Sequence, residues 1–314
     1  GYEIQLGAVP IQTSKGFRWN LDLNYGANSS KVVKLDDEGL ITSYRLYSSG
    51  IQILASVGEA YGTLFGTSYV RDANGNVVVD ANGLPKISTT NKTLGKFTPD
   101  WTGGISNTFS YRSLSLSFLI DASVGGSIFS NTNKTGKYTG VLANTLSGRD
   151  AEHGGLWYYT AAMGNNVRLP ESPSYSVSSD GLYYAQVNGQ STRVYQDGIM
   201  VEGVTESGSK NEEVVSAEKY YHRIYSIAEA NVYDASYVKL REVALSYRLP
   251  RLWTQKLHLQ EASVTLTGRN LWTIYKSVPN IDPESALTTG NAQGVEAYSL
   301  PTTRSFGVNL SVKF

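Results

Sequence analysis

The run Arg304-Ser305-Phe306-Gly307-Val308-Asn309-Leu310-Ser311-Val312-Lys313-Phe314 decides how the rest of the chain is read. Phe306, Val308, Leu310, Val312 and Phe314 fall on one face, and Ser305, Gly307, Asn309, Ser311 and Lys313 on the other. An unbroken period of two is the signature of a strand. A soluble strand has about 5–6 residues, whereas about 9–11 tilted residues cross a bilayer. The run is of the second length and predicts a strand of an outer-membrane β-barrel.

The two segments before it agree. Ser263–Tyr275 places Val264, Leu266, Trp272 and Ile274 on one face, although Gly268 and Asn270 interrupt it. Tyr237–Leu249 sets Val238 and Leu240 against Lys239 and Arg241, then changes parity so that Val243, Leu245, Tyr247 and Leu249 continue the apolar set. A parity change within a strand predicts a β-bulge, here between Leu240 and Val243. The link Arg251–Gln260 is short, and the connection Lys276–Thr303 is long and carries Pro279, Pro283, Gly290, Gly294 and Pro301. Short turns at one end and long loops at the other are the plan of an outer-membrane barrel.

Upstream, Phe17, Trp19, Leu21, Leu23 and Tyr25 share one face and Arg18, Asn20, Asp22 and Asn24 the other. Tyr2–Val9 and Gly50–Val57 read as further strands. Gly103–Tyr111 and Leu114–Val124 form a hairpin closed by the two-residue turn Arg112-Ser113. Asn74-Gly75 and Asn82-Gly83 flank Val77–Val79 and predict tight turns with positive φ at both residues. Residues 125–216 show no sustained period and read as one long extracellular loop. The expectation is eight to ten spans, the last three within 235–314.

Composition narrows the function classes. With 27 basic and 27 acidic residues, no net charge draws the chain to nucleic acid. The absence of cysteine excludes disulfides and thiolate metal sites. No apolar run is long enough for a membrane helix. The mean hydropathy of −0.25 is compatible with a barrel, which shows lipid only every second residue. Gly1–Leu6 has neither basic region nor apolar core and is no signal peptide, so the chain is expected to begin partway through a larger polypeptide.

Asp234-Ala235-Ser236-Tyr237-Val238-Lys239-Leu240-Arg241-Glu242, Leu245-Ser246-Tyr247-Arg248-Leu249-Pro250, Gly268-Arg269-Asn270-Leu271-Trp272, Asp282-Pro283-Glu284 and the Pro301 to Phe314 ending together resemble the SusC/RagA family of TonB-dependent outer-membrane transporters. So do Val57-Gly58-Glu59-Ala60-Tyr61-Gly62 and Leu94-Gly95-Lys96-Phe97-Thr98-Pro99-Asp100-Trp101. The resemblance implies an all-β fold, with residues 1–314 as the C-terminal part of an antiparallel barrel of about 22 strands with a plugged lumen. No counterpart of the family's N-terminal plug or TonB-gripped segment is found in the chain. It implies import of oligosaccharides or peptides, powered by TonB, with a SusD-like surface lipoprotein as lid and no cofactor or enzymatic step. The alternative is a small closed barrel of eight or ten strands acting as a passive porin.

Candidate residues follow from position. Trp157, Tyr158, Tyr159, Tyr183 and Tyr184 lie in the long loop, away from any predicted strand, and are candidates for contact with substrate or lid; packing within the loop is the plain alternative. Lys239, Arg241 and Glu242 fall on or beside the lumen face, where ion pairing with a plug is the simplest role. Phe306, Val308, Leu310, Val312 and Phe314 are the expected signal for insertion into the outer membrane. Tyr247, Trp253, Trp272 and Tyr275 sit near strand ends, as interfacial aromatic girdles do. Asp72-Ala73-Asn74-Gly75-Asn76 opens like a calcium loop, but Val77 replaces its required glycine and the closing Glu is missing, so it reads as a turn. His153, His222 and His258 are far apart and set no zinc spacing.

Overall fold

The computed structural model describes residues 1–48, 50–170, 173–286 and 289–314. Its frame is an antiparallel up-and-down sheet of seven strands among the described residues: β1 (Tyr2–Gln12), β2 (Phe17–Ala27), β3 (Trp101–Tyr111), β4 (Leu114–Val124), β5 (Tyr237–Arg248), β6 (Glu261–Lys276) and β7 (Ser305–Lys313). Each strand pairs with its neighbour in sequence, and β1 and β7 are the two edges. The sheet is open, so the alternative of a small closed barrel does not hold for the described chain. Eleven residues at roughly 3.3 Å each, tilted by about 40°, cover roughly 25 Å, the height of a lipid-facing band.

Register explains why the alternation reads so cleanly. Ile11, Trp19, Phe109, Leu116, Leu245, Leu266 and Val308 form one cross-strand row through all seven strands. Leu6, Leu23, Ile105, Ile120, Leu240 and Trp272 form another. Large apolar groups therefore cover one face and stand exposed on it, Phe306 at 80% and Val308 at 73%. The predicted bulge in β5 is present, with register shifting between Leu240 and Glu242 against both β4 and β6. Parity changes there because Arg241 is the extra residue.

The ends of the sheet differ. At one end stand the Thr13–Gly16 turn, the Arg112-Ser113 turn and a link containing a short helix, Arg251–Lys256, not expected from the sequence. At the other end, residues 28–100, 125–236 and 277–304 build a folded cap. Residues 125–216 are not one irregular loop. They hold α1 (Asn131–Thr139) and a sheet in the order Asn166–Arg168, Leu156–Thr160, Gln190–Met200, Tyr183–Val187, Tyr175–Val177, with Val214–Ser216 on its flank. That region was opaque because its strands are mostly three to five residues long, too short for a period to register. Gln52–Ser56 is likewise no membrane span; it pairs in a cap sheet with Ser43–Ser48 and Thr63–Gly66. Removing Gly50–Val57 from the eight named candidates leaves the seven strands described, below the expected eight to ten.

The two Asn-Gly turns also differ in detail. Only Gly75 (φ 86°) and Gly83 (φ 77°) are left-handed. Each closes a turn opened by an aspartate, with Gly75 N donating to Asp72 O and Gly83 N to Asp80 O. Asp72 spends its carboxylate on the amides of Asn74 and Asn76, so the turn reading stands on its own hydrogen bonds.

Wall and cap are joined where β4 runs upward into Ser127–Ser130. Gly125 and Gly126, both at φ 77°, make the bend. Ser127–Ser130 then pairs with Val232–Asp234, antiparallel, and with Val295–Glu296, parallel. This small sheet carries the core residues Ile128 and Phe129 beneath the cap.

Candidate functional site

The bulge in β5 turns Lys239, Arg241 and Glu242 toward the polar face within four residues of each other. Lys239 lies opposite Asp121 and Thr273 and is only 2% exposed. An ammonium group at that depth requires close partners. It has two: Nζ donates to Asp282 Oδ1 and to Glu284 Oε2, each at 2.6 Å. Arg241 also pairs with Glu284 and brings Nε to 2.8 Å from Asp121 Oδ1, out of line for a hydrogen bond. Tyr237 Oη donates to Glu284 Oε1 at 2.9 Å, and its ring lies under both cations at 5.0 and 5.5 Å. Thr302 Oγ1 donates to Asp282, and Lys276 Nζ donates to Ile281 O at 2.7 Å.

Asp282-Pro283-Glu284 is thus the clamp of the 277–304 loop upon the wall. Burial by itself would raise both carboxyls. The hydrogen bonds from Lys239 and Thr302 to Asp282, and from Arg241 and Lys239 to Glu284, outweigh it and hold both below the usual carboxylate range. The sequence put Lys239 and Arg241 on or beside the polar face with a plug as their simplest ion partner; both are paired within this chain. Those partners lie 43 and 45 residues further along the same chain. The acidic pair was visible as a sequence signature, but only the fold brings it to the bulge. Glu242 takes a separate course and accepts from Arg269 Nε at 2.8 Å across to β6.

A second clamp holds the same loop higher up. Glu296 is fully buried and receives Ser130 Oγ and Thr132 Oγ1 at 2.7 Å, Thr132 N at 3.2 Å and Ser299 N at 3.0 Å. Ser130 is the N-cap of α1, so the carboxylate lies at a helix N-terminus, where negative charge is favoured. Nothing in the sequence marks Glu296, whose Ser130 and Thr132 partners are 166 and 164 residues away.

The aromatic candidates are not loop residues. Trp157, Tyr158 and Tyr159 lie in the strand Leu156–Thr160, and Tyr183 and Tyr184 in Tyr183–Val187. Trp157, 7% exposed, stacks on Tyr175 at 4.8 Å and meets the edge of Tyr183 at 5.5 Å. Tyr158 is buried too, stacks on Tyr195 at 5.2 Å and donates to Asp197 Oδ1 at 3.1 Å. These two build the core of the cap sheet. Tyr159, Tyr183 and Tyr184 are half-buried and keep access to solvent. Phe306, Val308, Leu310, Val312 and Phe314 stand exposed on the apolar side of β7 and just beyond it.

No cluster of three or more metal-ligating side chains is found among the described residues. His153 contacts Asp150 at 2.8 Å, and His222 stacks on Tyr138 at 4.1 Å.

No family model matches the chain. Among curated proteins it is 26% identical over 343 residues to TonB-dependent receptor P3 of Formosa agariphila, covering all of this chain and 28% of that protein. TonB-dependent receptor P26 of the same organism is 24% identical over 342 residues, again along the whole chain and 29% of the relative. Among solved structures, the RagAB peptide transporter aligns with a TM-score of 0.56 at 17% identity, over 99% of this chain and 28% of that one. The RagAB peptide importer in its open-open state aligns at 0.54 and 16% identity. The chain therefore spans under a third of the proteins it matches.

Proposed function

From a chain homologous along its whole length to TonB-dependent receptors, which are outer-membrane β-barrels and transporters rather than enzymes, we propose a SusC-type nutrient importer. The cargo is an oligosaccharide or a peptide, the drive comes through TonB, and a SusD-like surface lipoprotein serves as lid. The supporting observation is a lipid-faced wall that carries a large folded cap at one end only. A passive pore needs no such mass above its mouth.

In this reading the described residues supply wall and mouth. Lys239 and Arg241 position the 277–304 loop rather than touch a plug. Tyr184, with the solvent-exposed sides of Tyr159 and Tyr183, is available to meet cargo or lid, whereas Trp157 and Tyr158 hold up the sheet that presents them. The β7 face from Phe306 to Phe314 serves barrel insertion.

The test uses the full-length receptor in its own outer membrane. Uptake of labelled oligosaccharides or peptides should stop when TonB is deleted, and a surface lipoprotein should co-purify with the receptor. Uptake that persists without TonB would reassign the protein to passive pores.

A further inference from the structure

The apolar face of the wall is hollowed near the cap end. Counting from the cap end, Tyr2, Ala27, Trp101 and Val124 form the first row, and Ile4, Tyr25, Gly103, Ala122, Val238 and Tyr275 the second. The third row is Leu6, Leu23, Ile105, Ile120, Leu240 and Trp272. Its two central positions are isoleucines, while those of the second row are a glycine and an alanine. The missing side chains leave a hollow of about 450 Å³, bordered by Ile4, Leu6, Tyr25, Trp101, Ile105 and Val238. Gly103 lies at its floor, where a Cβ would be crowded, meeting Asn24 O at 3.0 Å and the Trp101 ring at 3.4 Å.

We propose that this hollow is a binding groove for one acyl chain of an outer-leaflet membrane lipid. Three observations support that occupant. The groove is continuous with the face that already meets lipid, and it lies at the cap end, which is the outer leaflet because short turns are periplasmic and long loops extracellular. Its volume accommodates roughly 15 methylene groups at protein packing density. Its rim also matches a lipid. Tyr25 and Trp101 stand at the upper rim, their rings 5.7 Å apart, at the depth where amphipathic rings settle. A flat wall exchanges its lipids freely, whereas a concave one gives a chain partner atoms on several sides. The proposal rests on the membrane face of the sheet and not on what is transported.

Native mass spectrometry of the full-length receptor in detergent, with added lipid A, tests it. The wild type should retain a lipid that Ala122→Leu, which fills the floor, retains at least about fivefold less. Leu116→Ala, on the same face but far from the groove, should retain it as the wild type does. Heat-modifiable migration confirms folding of each variant, and Ala122→Val replaces Ala122→Leu if the leucine blocks assembly. Equal retention by wild type and filled variant, or no retention by either, overturns the groove. Retention only when a lipoprotein co-purifies would assign the chain to a protein anchor and overturn it as well.

Discussion

The wall and the cap obey the hydrophobic effect in opposite senses. In the seven-stranded sheet the large apolar side chains point outward and stay exposed, and Ala262 is its only fully buried apolar residue among those described. In the cap the same residue types turn inward: Ile53, Leu64, Phe129 and Val295 are wholly buried in one cluster, and Trp157, Ala185 and Val194 centre another. What the wall buries is charge, at Lys239. The solvent on each side decides the sense. A strand between lipid and a polar lumen sorts its residues by parity alone, while the cap must find a core in water.

The comparison is broken most severely at the joint between the two. Lys239→Met removes the cation and leaves Asp282 without an ion partner at the bulge, while Glu284 keeps Arg241; breaking the buried Lys239–Asp282 pair on one side should cost about 3 kcal/mol. The expected result is a receptor whose barrel is markedly less heat-resistant and whose 277–304 loop becomes open to protease. Unchanged melting of the folded band would show that the clamp contributes nothing to the wall.

Trp157→Ala sharpens the contrast from the cap side. Truncating a core tryptophan costs about 3 kcal/mol, but the cost should stay local. Hydrogen exchange should quicken across 156–200, while the folded barrel keeps its melting behaviour. Slowed barrel assembly in this variant would mean that cap and wall fold as one unit.

This division also explains what could be read beforehand. The seven wall strands, the β5 bulge and the Arg112-Ser113 turn were legible because their pattern is local: one environment, one period, one parity change. Gln52–Ser56 imitated that pattern, and only its pairing with Thr63–Gly66 assigns it to the cap. Trp157 and Tyr158 were visible as aromatics, but burial by Tyr175 and Tyr195 is a matter of tertiary packing. The clamps were the least legible. Glu296 and its Ser130 and Thr132 partners are ordinary residues until the chain brings them together.

The carboxylate clamp should also respond to acid. Asp282 and Glu284 titrate below their usual range in the folded protein, so their stabilisation is fully present above the unfolded values of about 3.9 and 4.3. It is lost as the pH falls through the lowered folded values. Protease sensitivity of the 277–304 loop should therefore rise steeply below about pH 4. Lys239→Met should flatten that step. An identical acid step in the variant would place the responsible carboxyl elsewhere.

The smallest effect tests a polar exception on the lipid face. Asn107 pairs in register with Leu21 and Phe118, on the apolar side of β3, yet it is nearly buried. Trp19 covers it, its indole Nε1 donating to Asn107 Oδ1 at 3.0 Å while its ring stacks on Phe109 at 5.7 Å. Asn107→Leu leaves the indole N–H without a partner in hydrocarbon, and Trp19→Phe leaves the amide bare; each should cost about 1 kcal/mol. The double variant removes both polar groups together and should cost less than the sum, with a coupling of about 1 kcal/mol. Urea unfolding of the full-length receptor from lipid vesicles measures all three. Simple additivity would mean the pair is not closed against lipid. The wall would then tolerate an open amide at mid-height, and the contrast with the cap would rest on averages instead of on each side chain.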